Sequence, residues 1–196
     1  MMGFMPALRW TSAAAILLTL GTTDVERALK IAKGSDAERS RFHARYSVAL
    51  DVTRPDATLE QIEAITELRR AVLDAEDRHR QGEHVFTVRQ VVDAVRPWRG
   101  KVTLSLRLRF NPLNVLVTVP SYEIALGTLG PVPIDVRRNP LYALGSGDPK
   151  APLPMYGAVI EADFDVAEVG QTSRDVRVML DGNVLARTTI DFARID

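Results

Sequence analysis

From Lys101 to Phe110 every even residue is apolar (Val102, Leu104, Leu106, Leu108, Phe110) and every odd residue is polar (Lys101, Thr103, Ser105, Arg107, Arg109). Only a backbone with a side-chain period of two sorts such a run into one dry and one wet face. This is a strand of an antiparallel sheet with a solvated side. A strand of that length needs partners of the same kind, and the chain supplies them. Tyr46, Val48, Leu50 and Val52 alternate with polar or small neighbours and give a strand over 45–52, which Pro55 ends. Ala158, Ile160, Ala162, Phe164 and Val166 alternate with Val159, Glu161, Asp163, Asp165 and Ala167. Val115–Val119 and Tyr122–Leu126 read as short strands around Pro120. Residues 127–155 hold six of the 11 prolines and four glycines, so they read as a long connection with a strand near Ile134-Asp135-Val136.

The tail, RVMLDGNVLARTTIDFARID, holds an Asp-Gly step between two apolar runs, a strong hairpin signal. Its apolar residues fall mostly on even positions both before the turn (Val176, Val178, Leu180) and after it (Val184, Ala186, Ile190, Phe192). A two-residue loop pairs even with odd positions and splits these sets between faces. A three-residue loop, Asp181-Gly182-Asn183, keeps them together and is the expectation.

Before Gly100 the period is helical. Four segments read as capping boxes: Thr23–Glu26, Ser35–Glu38, Thr58–Gln61 and Thr87–Gln90. They predict helices from about 24 to 33, 36 to 42, 58 to 81 and 88 to 96. The third is the longest, with Leu59, Ile62, Ile65, Leu68 and Val72 along one stripe. Helices first and consecutive strands second define an α+β class. The expected architecture is an antiparallel β-sheet or β-sandwich of about six to eight strands over the C-terminal two-thirds, with N-terminal helices packed on one side or end. Residues 22–196 read as a single domain, 22–99 mainly helical and 100–196 β-rich.

Residues 1–21 carry one base, Arg9, and no acid, followed by the apolar run Ala13–Leu20. That is the pattern of a secretory signal peptide, so a secreted or periplasmic protein is expected. The alternatives are an anchor formed by residues 7–21 and a cytoplasmic protein with a buried N-terminal helix. A comfortable membrane span needs about 20 apolar residues, more than this run has. Lys+Arg and Asp+Glu balance at 25 each, which leaves no net field to draw nucleic acid. The absence of cysteine excludes disulfides, thiolate metal sites and a Cys nucleophile.

No phosphate loop, dinucleotide fingerprint, His-Glu-x-x-His or Gly-x-Ser-x-Gly occurs, and Gly145-Ser146-Gly147 reads as a turn. His79 and His84 are not spaced as paired helix ligands, and His43 lies between Arg41 and Arg45. No metal or cofactor is expected. Glu161, Asp163 and Asp165 share one face of one strand, about 6.6 Å apart in succession. They are candidate catalytic carboxylates of a hydrolase, with a carbohydrate as the candidate substrate. The competing expectation is a salt ladder with Lys101, Arg107 and Arg109. Tyr122, Arg137, Arg138 and Tyr142 are candidate binding residues, because Tyr and Arg dominate contact surfaces. The leading expectation is a non-enzymatic module that contacts a protein, peptide or surface polymer. The contact would be made through a sheet edge or the Pro/Tyr/Arg loops at 120–142.

Overall fold

A computed structural model describes residues 20–83, 87–113, 116–143 and 153–195. Residues 1–19 of the export-signal reading over 1–21 lie outside the described residues, as do His84 and Gly145-Ser146-Gly147. The described elements run α1 (Thr22–Ala32), α2 (Asp36–Ala44), β1 (Ser47–Thr53), β2 (Ala57–Ile65), α3 (Glu67–Arg80), α4 (Val88–Val95) and a 3-10 turn (Arg96–Trp98). They continue with β3 (Lys101–Phe110), β4 (Glu123–Leu126), β5 (Asp135–Tyr142), β6 (Met155–Asp165), α5 (Val166–Val169), β7 (Ser173–Leu180) and β8 (Asn183–Asp191). The protein is α+β, with all strand pairs antiparallel.

One sheet has the order β1-β2-β3-β6-β5 and the other β4-β7-β8. β3 is central to the larger sheet, and its dry face holds Val102, Leu104, Leu106, Leu108 and Phe110, all buried. These side chains share one core with Ile160 and Phe164 of β6, Val176 and Val178 of β7, and Ala186 and Ile190 of β8. The two sheets thus meet across a common interior, β1 lying against β8 on one side. Val25, Ala28, Leu68, Val72, Val91 and Val95 of the helices join the same core.

The helix expected over 58–81 is two elements. Residues 57–65 are strand β2, and α3 begins behind Thr66, whose hydroxyl accepts from the Arg69 amide at 3.2 Å. The helical spacing in β2 comes from a β-bulge. Leu59 lies opposite Leu108 but Gln61 lies opposite Arg107, so Glu60 is the extra residue. A bulge puts Leu59 and Ile62 on the same face although they are three apart, which imitates a helical stripe. β1 takes up a matching irregularity between Ala49 and Val52, where Asp51 adopts φ +48°. The capping boxes at Ser35 and Thr87 form as expected. That at Thr23 does not: α1 is capped by Gly21, whose amide donates to the Asp24 carboxylate at 3.0 Å. Residues 116–119 are irregular where a strand was expected. The strand near 134–136 extends to Tyr142 and takes in Pro140, which the sheet edge tolerates.

The closing hairpin has a two-residue loop. Leu180 pairs with Asn183, and Asp181 and Gly182 adopt φ +50° and +77°, the type I′ signature. The parity conflict is real but is resolved one step further on. Val178 pairs with Ala186 and Met179 with Val184, so Leu185 bulges out of β8 and returns the even residues to the core face.

Candidate functional site

The carboxylates of β6 lie on the face of the larger sheet turned away from the shared core. Opposite them on β3 are Lys101 (to Asp165), Thr103 (to Asp163) and Ser105 (to Glu161). Arg107 and Arg109 do not complete the expected ladder. They face Val159 and Gly157 and reach instead to Glu60, the bulged residue of β2, at 3.4 and 3.1 Å. The cation that serves the acids is Arg137 of β5. Its two terminal nitrogens lie 2.8 and 2.9 Å from the two oxygens of Asp163, its Nε lies 3.2 Å from Glu161, and it reaches Asp135 at 2.6 Å.

A lid of side chains closes over this ion pair. Thr103 donates its hydroxyl to Asp163 at 2.5 Å and accepts from Arg70 of α3. The Arg70 guanidinium lies 3.6 Å from the centre of the Trp98 ring, and that of Arg137 lies 4.9 Å from it. Burial pushes the Asp163 carboxyl up. The hydrogen bonds from Arg137 and Thr103 and the charges of Arg137 and Arg70 outweigh burial and hold it below the usual carboxylate range. The bond to Asp163 raises the Arg137 guanidinium, while burial draws that of Arg70 down to about 10, still charged at neutral pH.

All three carboxylates of β6 have partners within the protein. A glycosidase needs one carboxyl kept protonated beside one ionised. Here Asp163 is held ionised, Glu161 is shared between Arg137 and Asn139, and Asp165 caps α5 by accepting from the Ala167 amide at 2.8 Å. His43 contacts Glu76 at 3.0 Å between α2 and α3, and His79 is exposed near the end of α3. Among the described residues no group of three or more His, Cys, Asp or Glu is arranged to hold a metal. No described helix is long and apolar enough to cross a membrane.

The candidate binding residues separate. Tyr122 is buried, its hydroxyl 3.4 Å from the Asp56 carboxylate; burial pushes that hydroxyl up to about 12, so it stays neutral. Arg137 is spent on the acids. Tyr142 is half-exposed at the far end of β5. Arg138 has a different setting. It lies opposite Ile160 on the core-facing side of β5, as Val136 lies opposite Ala162, so both point into the gap between the sheets.

That gap is a cleft of about 390 Å³ at the side where β4 and β5, the terminal strands of their sheets, approach each other. Its lining has an informative pattern. Of β5 only the alternate residues Val136 and Arg138 contribute, as side chains from one face do. Of β4 all four consecutive residues, Glu123–Leu126, contribute. Consecutive residues of a strand point to opposite faces, so what β4 presents is its backbone edge. Arg177 of β7 and the loop residues Gly127, Gly130, Pro131 and Val132 complete the walls. The loop turns back so that the Gly130 backbone lies close against Leu126. A Cβ on Gly130 would lie 1.6 Å from the Leu126 carbonyl oxygen. Leu129, at the tip, is 99 % exposed.

Comparison of the chain with protein-family models, curated proteins and solved structures finds no match. Sequence reasoning reaches the 120–142 segment and Arg138 from composition, but not Arg177 or the edge of β4. Those are distant along the chain, and no local pattern links them.

Proposed function

We propose that this protein is a non-enzymatic binding module that takes an extended segment of a partner protein into the cleft between β4 and β5. The observation that carries this reading is that β4 ends its sheet beside the cleft, with all four of its residues in the lining together with Val136, Pro131 and Val132. Strand addition to such an edge supplies main-chain hydrogen bonds, and the facing wall receives alternate side chains. The volume lies within the usual range of ligand sites, and its largely apolar lining with two arginines suits recognition.

The physical chemistry also favours one edge over the other. β5 carries Pro140 and the inward-pointing Arg138, both devices that blunt an edge against strand pairing. β4 carries neither. The recognition strand therefore adds to β4, while β5 contributes side chains from across the cleft. An exported location fits a module of this kind and rests on residues 1–21 alone.

The test is selection of a random dodecapeptide library, displayed on phage, against the full chain and against Val136→Trp, which fills the cleft mouth. Thr128→Trp, on the loop rim, guards against a folding defect in the first variant. The reading expects peptides held by the wild type and lost by both variants, at unchanged far-ultraviolet circular dichroism. Failure to recover any peptide whose capture depends on the cleft overturns it.

A further inference from the structure

We infer that the segment recognised in the cleft is acidic, its carboxylate read by Arg138 and Arg177; this inference rests on the binding reading above. The two arginines reach the same cleft from different sheets, Arg138 from the inner face of β5 and Arg177 from β7 opposite Ala125. Glu123 is the one acid in the lining, at the end of β4 and exposed, so the walls carry a surplus of positive charge. Among the described residues neither arginine is ion-paired. Each donates to a backbone carbonyl: Arg138 to Tyr122 at 3.4 Å, at the long limit for such a bond, and Arg177 to Gly127. The Nε of Arg177 is buried with no hydrogen-bond partner.

A buried donor left unmade is costly, and a guanidinium offers five donors in a planar fork that matches a carboxylate. This setting contrasts with Arg137, one residue away, whose fork is filled by Asp163, Glu161 and Asp135. Adjacent arginines on opposite faces of one strand thus have different tasks. Arg137 closes the sheet's outer face, and Arg138 holds unspent donors toward the cleft. Strand addition along β4 carries the partner's backbone past both Arg138 and Arg177. An Asp or Glu whose side chain turns toward Arg138 gains charge-assisted hydrogen bonds that a neutral residue lacks.

The experiment sequences the dodecapeptides recovered by the cleft-dependent selection and measures one of them by fluorescence anisotropy against the full chain. The recovered set is expected to be enriched in Asp and Glu. The double variant Arg138→Gln/Arg177→Gln is expected to bind about tenfold or more weakly, equivalent to about 1.4 kcal/mol. Arg138→Lys is expected to recover part of the loss, and raised salt to weaken wild-type binding. A cleft-dependent set that is neutral or basic, or acidic peptides with affinity unchanged in the double variant, overturns the charge assignment and leaves the cleft reading standing. Absence of any cleft-dependent peptide overturns both.

Discussion

Arg137 and Asp163 form a two-pronged ion pair that runs diagonally across two strands, with Asp163 only 1 % exposed and Arg137 29 %. The residue directly opposite Asp163 on β5 is another acid, Asp135, and the residue directly opposite Arg137 is Glu161. One guanidinium therefore sits among three carboxylates and offsets a like-charge pair that would otherwise destabilise the sheet.

Arg137→Ala leaves Asp163 buried and facing Asp135 without its two-pronged partner. The expected loss is about 3 kcal/mol, at the low end for breaking a buried pair because Arg137 keeps contact with solvent. Arg137→Lys restores only part, since a point charge cannot reproduce the fork. Urea unfolding measures both, and a loss below about 0.5 kcal/mol for Arg137→Ala, the size of an ordinary surface change, contradicts the role.

Acid stability follows from the same pair. The folded state holds the Asp163 carboxyl below its unfolded value of about 4. Its contribution is therefore complete above about pH 4 and is lost as pH falls through the folded value. Melting temperature measured from pH 7 to pH 2 should fall less steeply at the acid end in Asp163→Asn, from a lower starting point. An acid limb identical to wild type rules out this origin.

Glu67, buried at the start of α3, ties two distant amides together. It accepts from Leu20 at 3.1 Å and from Gly100 at 2.6 Å. Glu67→Ala strands both donors and should cost about 2 kcal/mol or more, with Glu67→Gln losing less because one acceptor oxygen remains. Equal loss in the two variants, seen by thermal unfolding, would indicate packing and not hydrogen bonding.

The hairpin makes a prediction of opposite sign for its two candidate loops. With a two-residue turn Asn183 lies in β8, so Asn183→Gly should destabilise by about 0.5–1 kcal/mol. Gly182→Ala, at φ +77°, should cost about 1–2 kcal/mol. Stabilisation by Asn183→Gly would mean that Asn183 is the left-handed residue of a longer loop.

Gly130 couples local geometry to the cleft. Gly130→Ala cannot keep the loop against the Leu126 carbonyl, so residues 127–133 must move away from β4. A selected peptide should bind at least about tenfold more weakly, a change of about 1.4 kcal/mol. Unchanged peptide affinity would show that the loop is no part of the binding wall.

What the sequence revealed depended on how far its patterns reach. β3 was legible because its even face is dry along the whole strand, β6 because its even face is dry from Ala158 to Phe164, and the helices at Ser35 and Thr87 because their caps are local. β2 was not, because a bulge at Glu60 replaces period two with a three-residue step that reads as helix. The same device, at Leu185, hid the two-residue hairpin. The acids of β6 were visible, but their cation was not. Arg137 is 26 residues from Asp163 and reaches it through β5, a strand whose proline and flanking turns read as loop. The cleft lay further out of reach, since it exists only where β4, β5 and β7 come together.

The proposed binding turns on a partner segment adding to the edge of β4. Hydrogen exchange of the full chain, with and without a dodecapeptide selected for cleft-dependent binding, tests it most directly. New amide protection is expected in Glu123–Leu126, with little change around Gln61, Ser105 and Glu161 on the outer face of the larger sheet. Protection that appears on that outer face and leaves 123–126 unchanged would contradict it.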